Sequence, residues 1–450
     1  MTLPSPIEAP ASFAGLNIAV VGLGIEGRDA FTFLEREGAG IITVDRNLER
    51  AERHQDDLSI LDEVDGLIAS QGVHHHLSLL VEAARRDIPV YGPTQIFLER
   101  CPAPVIGITG SAGKTTTTTL VHRMLQAAGV PCRLGGNIGQ GLLGQLPDIT
   151  STDMVVAEIS HTQLLRTTRS PHTAAITNIT PNHLDQFSWE DYQQLKYRIV
   201  DYQSPSDVVV LPFNDELAAA ATARTDASQR WFGIGTPSMP WHCALRSSDG
   251  QILYNDRPLM SVKELKIPGE HNVLNALAAL AIVADVVPGD IATDVLRTFA
   301  GVPHRLELVA EIGCVRFIND SIATTPERTL AGLKATAGPV VLMLGGRDKH
   351  LPLDPLIDEL RRHVRLVVLF GEAAPQWTDR LTDRDIAAED AGSFDAAFHR
   401  AATRARSGET VLMSPGGTSF DAYANFEARG QHFRDLVNEW ARTGSLSDDH

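Results

Sequence analysis

The chain has 450 residues, 43% hydrophobic and 21% charged, an ordinary globular composition and too long for a single hydrophobic core. Its formal net charge of −17 argues against nucleic-acid and anionic-membrane partners, which such a surface repels, but leaves room for a local basic pocket that takes a small anion. Cys101, Cys132, Cys243 and Cys314 have no CxxC spacing and read as reduced, mostly buried thiols. The start MTLPSPIEAPASFAG lacks the basic and apolar regions of a signal peptide, and no apolar run approaches the ~20 residues of a membrane helix. A cytoplasmic protein is expected.

Apolar strands alternate with amphipathic helices along the whole chain, which predicts α/β layers with parallel sheets in three blocks. In residues 1–98, LNIAVVGLGIEG reads as a strand running into a glycine turn, followed by the strands GIITVD and GLIAS. GLGIEG matches GxGxxG at Gly22, Gly24 and Gly27, with Asp45 about twenty residues on. Alone, this dinucleotide fingerprint predicts an NAD-dependent oxidoreductase, although the glycine turn says only that a nucleotide-type phosphate can approach a helix N-terminus.

Residues 99–300 follow the linker-like CPAP and contain VIGITG, DMVVAEIS, TAAITNIT and DVVVLP as strands. ITGSAGKTTTTTL lies between a strand and a helix, as a phosphate-binding loop requires. Backbone N–H groups of Gly110, Ser111, Ala112 and Gly113 would cradle phosphate, Lys114 would reach the β/γ-phosphates and the Thr115 hydroxyl would bind Mg²⁺. Ile108 stands where the common pattern has its first glycine, and a threonine-rich helix start is the alternative. Glu158, at a strand end, is placed as a Mg²⁺ ligand or an ordinary strand-end carboxylate. TNITPNHLDQF crowds Asn178, Asn182, His183 and Asp185 into one loop. In SWEDYQQLKYRIVDY, Ser188 is the expected N-cap, and Tyr192, Leu195, Ile199 and Tyr202 form an apolar stripe that Lys196 borders. Lys196 is then a snorkelling lysine, or a desolvated one able to react with CO₂ and become an anionic carbamate. GEHNVLNALAALAIVADVV starts a helix on which His271 and Asn272 would meet a nucleotide, with a helix-capping role as the alternative for His271.

Residues 301–450 hold the strands CVRFIND, PVVLMLGG, RLVVLFG and TVLMSPGG. Arg305, in VPHRLELV, is placed to stabilise a transferring phosphoryl group, and the strand-end Asp320 to orient a ribose or adenine edge.

TGSAGKTTTT, AEIS, TNITPNHLDQF, YQQLKYRI, GEHNVLNALAA, PHRLELV, NDSIATTPE and SPGGTSFDAYANFEARG occur in that order over residues 107–430. The series resembles the Mur ligase family, and with GLGIEG its glutamate-adding members. The resemblance implies three domains: a Rossmann-like N-terminal domain (1–98) for a UDP moiety, a P-loop-like central ATPase (99–300) and a Rossmann-like C-terminal domain (301–450) for the amino acid. It implies ATP and Mg²⁺ as cofactors, UDP-N-acetylmuramoyl-L-alanine and glutamate as substrates, an acyl-phosphate intermediate, and a monomer. Gly22, Gly24, Gly27 and Gly72 would then face the UDP-sugar, with Asp45 and Arg46 near the uracil and Asn137 on the muramoyl part. Thr116 would join the phosphate loop, and Asn272, Arg305 and Asp320 would contact ATP. Thr115, Glu158, His183 and a carbamylated Lys196 would serve the metals. Lys114, His183, Lys196 and Arg305 would carry the catalysis, and Thr324, Lys349, Ser419 and Phe426 would bind glutamate.

Three departures stand out. His161 and Thr162 replace the family's serine and aromatic after the acidic residue, Ser70-Gln71-Gly72 replaces SPG, and Ile322 replaces a lysine. The alternatives are an L-glutamate ligase served by an epimerase, another Mur or folylpolyglutamate-type ligase, and a regulator that has lost catalysis. The intact set Lys114, Glu158, His183 and Lys196 speaks against the last.

Overall fold

The computed structural model describes residues 6–182, 186–235, 243–255, 257–267, 269–348 and 353–443. The chain divides into two compact units, Met1–Phe299 and Ala300–His450.

The first unit contains two sheets. One orders Arg53–His54, Gly40–Asp45, Asn17–Val21, Gly66–Ala69 and Val90–Tyr91, all parallel. The other places Val105–Thr109 between Met154–Glu158 and Thr173–Ile176, with every pairing parallel from Cys132–Gly136 across to Cys243–Arg246. The central strands are continuous apolar runs because helices cover both faces. Gln251–Tyr254 and Arg257–Ser261 extend this sheet as an antiparallel edge that strand patterning alone did not predict. One apolar cluster, including Phe13, Ile18, Phe97, Val105 and Leu143, runs under both sheets of this unit.

The second unit is one sheet in the order Glu307–Ile312, Val315–Asn319, Thr410–Gly416, Val340–Gly345, Val364–Phe370 and Ala388–Asp390. It is parallel except for its first pairing. Trp377 and Phe398 anchor apolar clusters on its flanking helices.

Two expectations change. The helix beginning at Ser188 spans only Trp189–Tyr197, so Ile199 lies past its end and Tyr202 is 46% exposed rather than part of a buried stripe. Cys101 and Cys132 are half-buried free thiols, whereas Cys314 is exposed at a turn with φ 59°, so burial does not hold for it. Among the described residues no helix is long and apolar enough to cross a membrane.

Candidate active site

In the first sheet the glycine turn is shaped by close packing. A Cβ on Gly27 would lie 1.8 Å from the Gly22 carbonyl oxygen, and Gly22 itself sits at φ +84°. Gly24 and Gly72 have open space where a side chain would be, so sterics leave both free to admit a ligand close to the backbone. Asp45 accepts from the backbone N–H of Leu23 (2.7 Å) and of Asn47 (3.0 Å), so its carboxylate shapes the turn, while Arg46 beside it is exposed.

The departure at Gln71 has a structural reason. Its backbone N–H, which proline would lack, donates to the buried Glu26 carboxylate at 2.9 Å. Glu26 also accepts from the Gln163 amide, and Ser160 Oγ donates to the Gln71 side chain at 3.0 Å. Burial raises the Glu26 pKa, and these bonds oppose the rise. His161 packs against Phe187 and Tyr192, and His75 stacks on Phe187 at 4.5 Å, so the replaced positions build one polar and aromatic seam.

The phosphate loop leaves the fully buried strand Val105–Thr109 at Gly110. Gly110 has φ +147° and a Cβ there would meet Thr177 Oγ1 at 1.9 Å. Gly113 has φ +83° and would meet Asn275 Oδ1 at 2.2 Å. No other residue type fits either position. The loop is clamped from the next strand end: Asn178 accepts from Ser111 N–H (3.0 Å) through its carbonyl and from Ala112 N–H (2.9 Å) through its side chain, which also donates back to the Ala112 carbonyl. Two of the four loop N–H groups expected to face phosphate are thus engaged within the loop, which runs directly into helix Lys114–Ala127. Lys114 Nζ donates to the carbonyls of Gly110 (2.8 Å) and Ser111 (3.2 Å), which holds the ammonium over the loop. Thr115 is buried at the first turn, with Thr116 beside it. Gly113, Asn178, Phe232, His271, Leu274 and Asn275 line an adjoining cleft. Asn272 is tied to this wall by the Asn275 amide, which donates to it at 3.2 Å.

Beneath the loop lies a buried charge cluster. Lys196 is 1% exposed, donates to Thr109 Oγ1 at 3.0 Å and sits 5.4 Å from the Tyr192 ring centroid. Burial pushes its ammonium well below the ordinary lysine range; the charge of Lys114 adds to this and that of Glu158 opposes it. The snorkelling alternative is thereby excluded for this side chain. Glu158 Oε1 accepts from Asn137 Nδ2 at 2.7 Å, whereas its buried Oε2 has no hydrogen-bond partner. A buried carboxylate oxygen without a donor fits a divalent cation. His183 and Asp185 lie outside the described residues. Among the described residues no group of three His, Cys, Asp or Glu is gathered for a metal.

In the second unit Arg305 is presented by an unusual turn. His304 (φ 61°) and Leu306 (φ 44°) on either side both take left-handed backbone, which costs about 1–2 kcal/mol for a residue with a Cβ and so marks a position held for use. Asp320 accepts from Leu306 N–H (3.2 Å) and Ser414 Oγ (2.8 Å). Burial nonetheless lifts its pKa to about 7. Folded Asp320 therefore keeps its proton where the unfolded chain has lost it, and its destabilising effect grows from pH 4 towards 7 and is complete above. Asp320→Asn is expected to raise the melting temperature at pH 8, by on the order of 2–4 kcal/mol of stability, with the gain shrinking as pH falls to 5. Equal shifts at both pH values, by scanning calorimetry, would contradict a protonated carboxyl.

Residues that pattern reading missed include Arg429. Its guanidinium is fully buried and donates to Ser321 Oγ (3.1 Å), the Ser321 carbonyl (3.0 Å) and the Gly417 carbonyl (3.2 Å). Ser321 Oγ in turn donates to the Phe426 carbonyl at 2.8 Å. Burial lowers the Arg429 pKa to about 10. Arg429 thus pins its own helix, Phe426–Thr443, to the loops that carry Thr324 and the buried Ser419. Arg347 pairs its backbone with Thr418 at 2.9 Å in both directions, and Lys349 lies outside the described residues.

The Mur ligase middle domain matches residues 108–283, and the Mur ligase glutamate ligase domain matches residues 304–417. The UDP-N-acetylmuramoylalanine–D-glutamate ligase of Acetivibrio thermocellus is 37% identical over 94% of this chain and 96% of its own. The chain belongs to the Mur ligase family. The enzyme of the same name from Symbiobacterium thermophilum is 36% identical over 93% of this chain and 97% of its own. The solved UDP-N-acetylmuramate–alanine ligase of Thermotoga maritima shares the fold at TM-score 0.53 and 20% identity, over 94% of this chain and 99% of that one. As a Mur ligase the protein is an ATP-dependent, Mg²⁺-requiring, amide-forming enzyme, and an NAD-dependent oxidoreductase is ruled out as the reading of GLGIEG.

Proposed function

We propose that this Mur ligase joins D-glutamate to UDP-N-acetylmuramoyl-L-alanine in cytoplasmic peptidoglycan precursor synthesis, as a monomer. The observation that carries the reading is the end-to-end match to relatives bearing that name. A carboxylate is a poor electrophile because it would have to expel oxide. Its oxygen therefore attacks the γ-phosphorus of ATP, the bond to ADP breaks, and an acyl phosphate forms. The glutamate amine then adds to the acyl carbon, loses a proton, and the tetrahedral intermediate expels phosphate to leave an amide.

Positioning and charge neutralisation supply most of the rate in such a reaction. Lys114 holds the γ-phosphate, with Gly110 to Gly113, Thr116, Asn272 and Asp320 on the nucleotide and Arg305 on the transferring phosphoryl group. Thr115, Glu158, His183 and Lys196 would hold Mg²⁺, which when bound would neutralise phosphate charge. Neutral Lys196 Nζ adds to CO₂, the C=O electron pair moves to oxygen and the surplus proton leaves, which converts a buried amine into a metal-binding carbamate. Gly22, Gly24, Gly27, Asp45, Arg46, Gly72 and Asn137 receive the UDP-muramoyl substrate. Thr324, Lys349, Ser419 and Phe426 receive glutamate.

The test is ATP-dependent phosphate release with UDP-N-acetylmuramoyl-L-alanine and D-glutamate, L-glutamate or diaminopimelate. Release with D-glutamate alone is expected. Release with L-glutamate instead would make this an L-glutamate ligase needing an epimerase, and silence with all three would overturn the assignment.

A further inference from the structure

Ile322 leaves the amino-acid loop without the lysine that the family pattern puts there, yet the loop is not without a cation. Ile322 receives its backbone support from the His304 carbonyl at 3.1 Å, and its own carbonyl accepts from Thr324 N–H at 2.9 Å. The same carbonyl also accepts from Arg328 Nη1 at 3.3 Å. One oxygen thus sets the turn that presents Thr324 and tethers a guanidinium beside it.

The place of Arg328 in its helix does not favour a positive charge. It is the third residue of helix Pro326–Ala335, and its N–H is capped by Thr325. A positive charge in a first helical turn faces the positive end of the helix dipole, so the position is mildly unfavourable for an arginine. Its side chain is exposed, not packed into the core. Its charge reaches the buried Asp320, five residues before Thr325, alongside that of Arg305.

We propose that Arg328 is a substrate-binding residue of this enzyme: its guanidinium, beside Thr324, takes a carboxylate of the incoming amino acid and supplies the charge that Ile322 does not. A guanidinium offers a planar pair of donors that matches a carboxylate, which suits this role better than a distant counter-charge would. The inference rests on the glutamate-adding reading, and concerns only which cation of the second unit the amino acid meets.

The test is steady-state kinetics of Arg328→Ala, Arg328→Lys and the double variant Arg328→Ala with Ile322→Lys, using whichever glutamate enantiomer the wild type ligates. Arg328→Ala is expected to raise KM for glutamate by about 10- to 100-fold, while KM for ATP and for UDP-N-acetylmuramoyl-L-alanine stays within about twofold. Arg328→Lys falls in between, and Ile322→Lys in the alanine background restores most of the lost affinity. An unchanged KM for glutamate in Arg328→Ala would overturn the proposal. So would an equal rise in all three KM values, which marks a general structural defect. Failure of the wild type to ligate either enantiomer is a separate result, and it overturns the parent reading together with this one.

Discussion

Lys196→Ala and Lys196→Arg are both expected to lower kcat by at least about 10²- to 10³-fold, the scale on which one preorganised charge-stabilising group acts. Arginine keeps the length and the positive charge of the wild-type ammonium. It cannot become a carbamate, because its guanidinium stays protonated. A lysine serving merely as a cation would therefore tolerate arginine better than alanine, and that outcome would count against the modification. The physical basis is the site itself: a side chain 1% exposed, bonded to Thr109 Oγ1 and depressed well below its usual pKa by burial and by Lys114. The depression leaves much more free amine near neutral pH than an exposed lysine has, and the free amine is the form that adds CO₂. Stripping CO₂ from the buffer is expected to lower activity and bicarbonate to restore it. Independently of turnover, ¹³C-bicarbonate is expected to give a carbamate resonance by NMR in the wild type that is missing in Lys196→Arg. A wild-type spectrum without that resonance, together with indifference to CO₂, would remove the carbamate from the mechanism.

Lys114→Ala is expected to abolish turnover and, with it, formation of the acyl phosphate. The ammonium donates to the carbonyls of Gly110 and Ser111, polar groups of its own loop, so its removal touches no apolar core. The stability loss is expected to stay within about 1–2 kcal/mol, the value of such hydrogen bonds. Loss of activity with a nearly unchanged melting temperature separates a chemical role from a structural one. Borohydride reduction of the acyl phosphate to the alcohol reports the first half-reaction alone. If that product still accumulates in Lys114→Ala, the lysine acts after phosphoryl transfer and the role assigned to it here is wrong.

The site was unevenly legible in the chain. GLGIEG and GSAGKT could be read directly, because the glycines are demanded by backbone geometry that side chains would block: Gly27 against the Gly22 carbonyl, Gly110 against Thr177, Gly113 against Asn275. Ser188 was legible as an N-cap, and it accepts from Asp191 N–H as its spacing implied. The alternation of apolar runs with amphipathic helices likewise predicted the parallel central strands. Gln71 read only as a departure, since the Glu26 carboxylate that needs its N–H lies 45 residues earlier. Arg429 lies inside the motif SPGGTSFDAYANFEARG, but nothing local singles it out, because its partners at Ser321 are 108 residues away.

Local periodicity wrote the elements into the chain, and glycines in tight turns, such as Gly27, Gly110 and Gly113, marked the glycine-rich loops of the family motifs. What only the tertiary structure decided is the state of the groups those motifs carry. Helical spacing put Lys196 at the border of a buried face. Its burial comes with long-range packing, in which Thr109, 87 residues away, accepts from its amine. Desolvation is a property of everything packed around a group, and residues distant in sequence supply most of that packing.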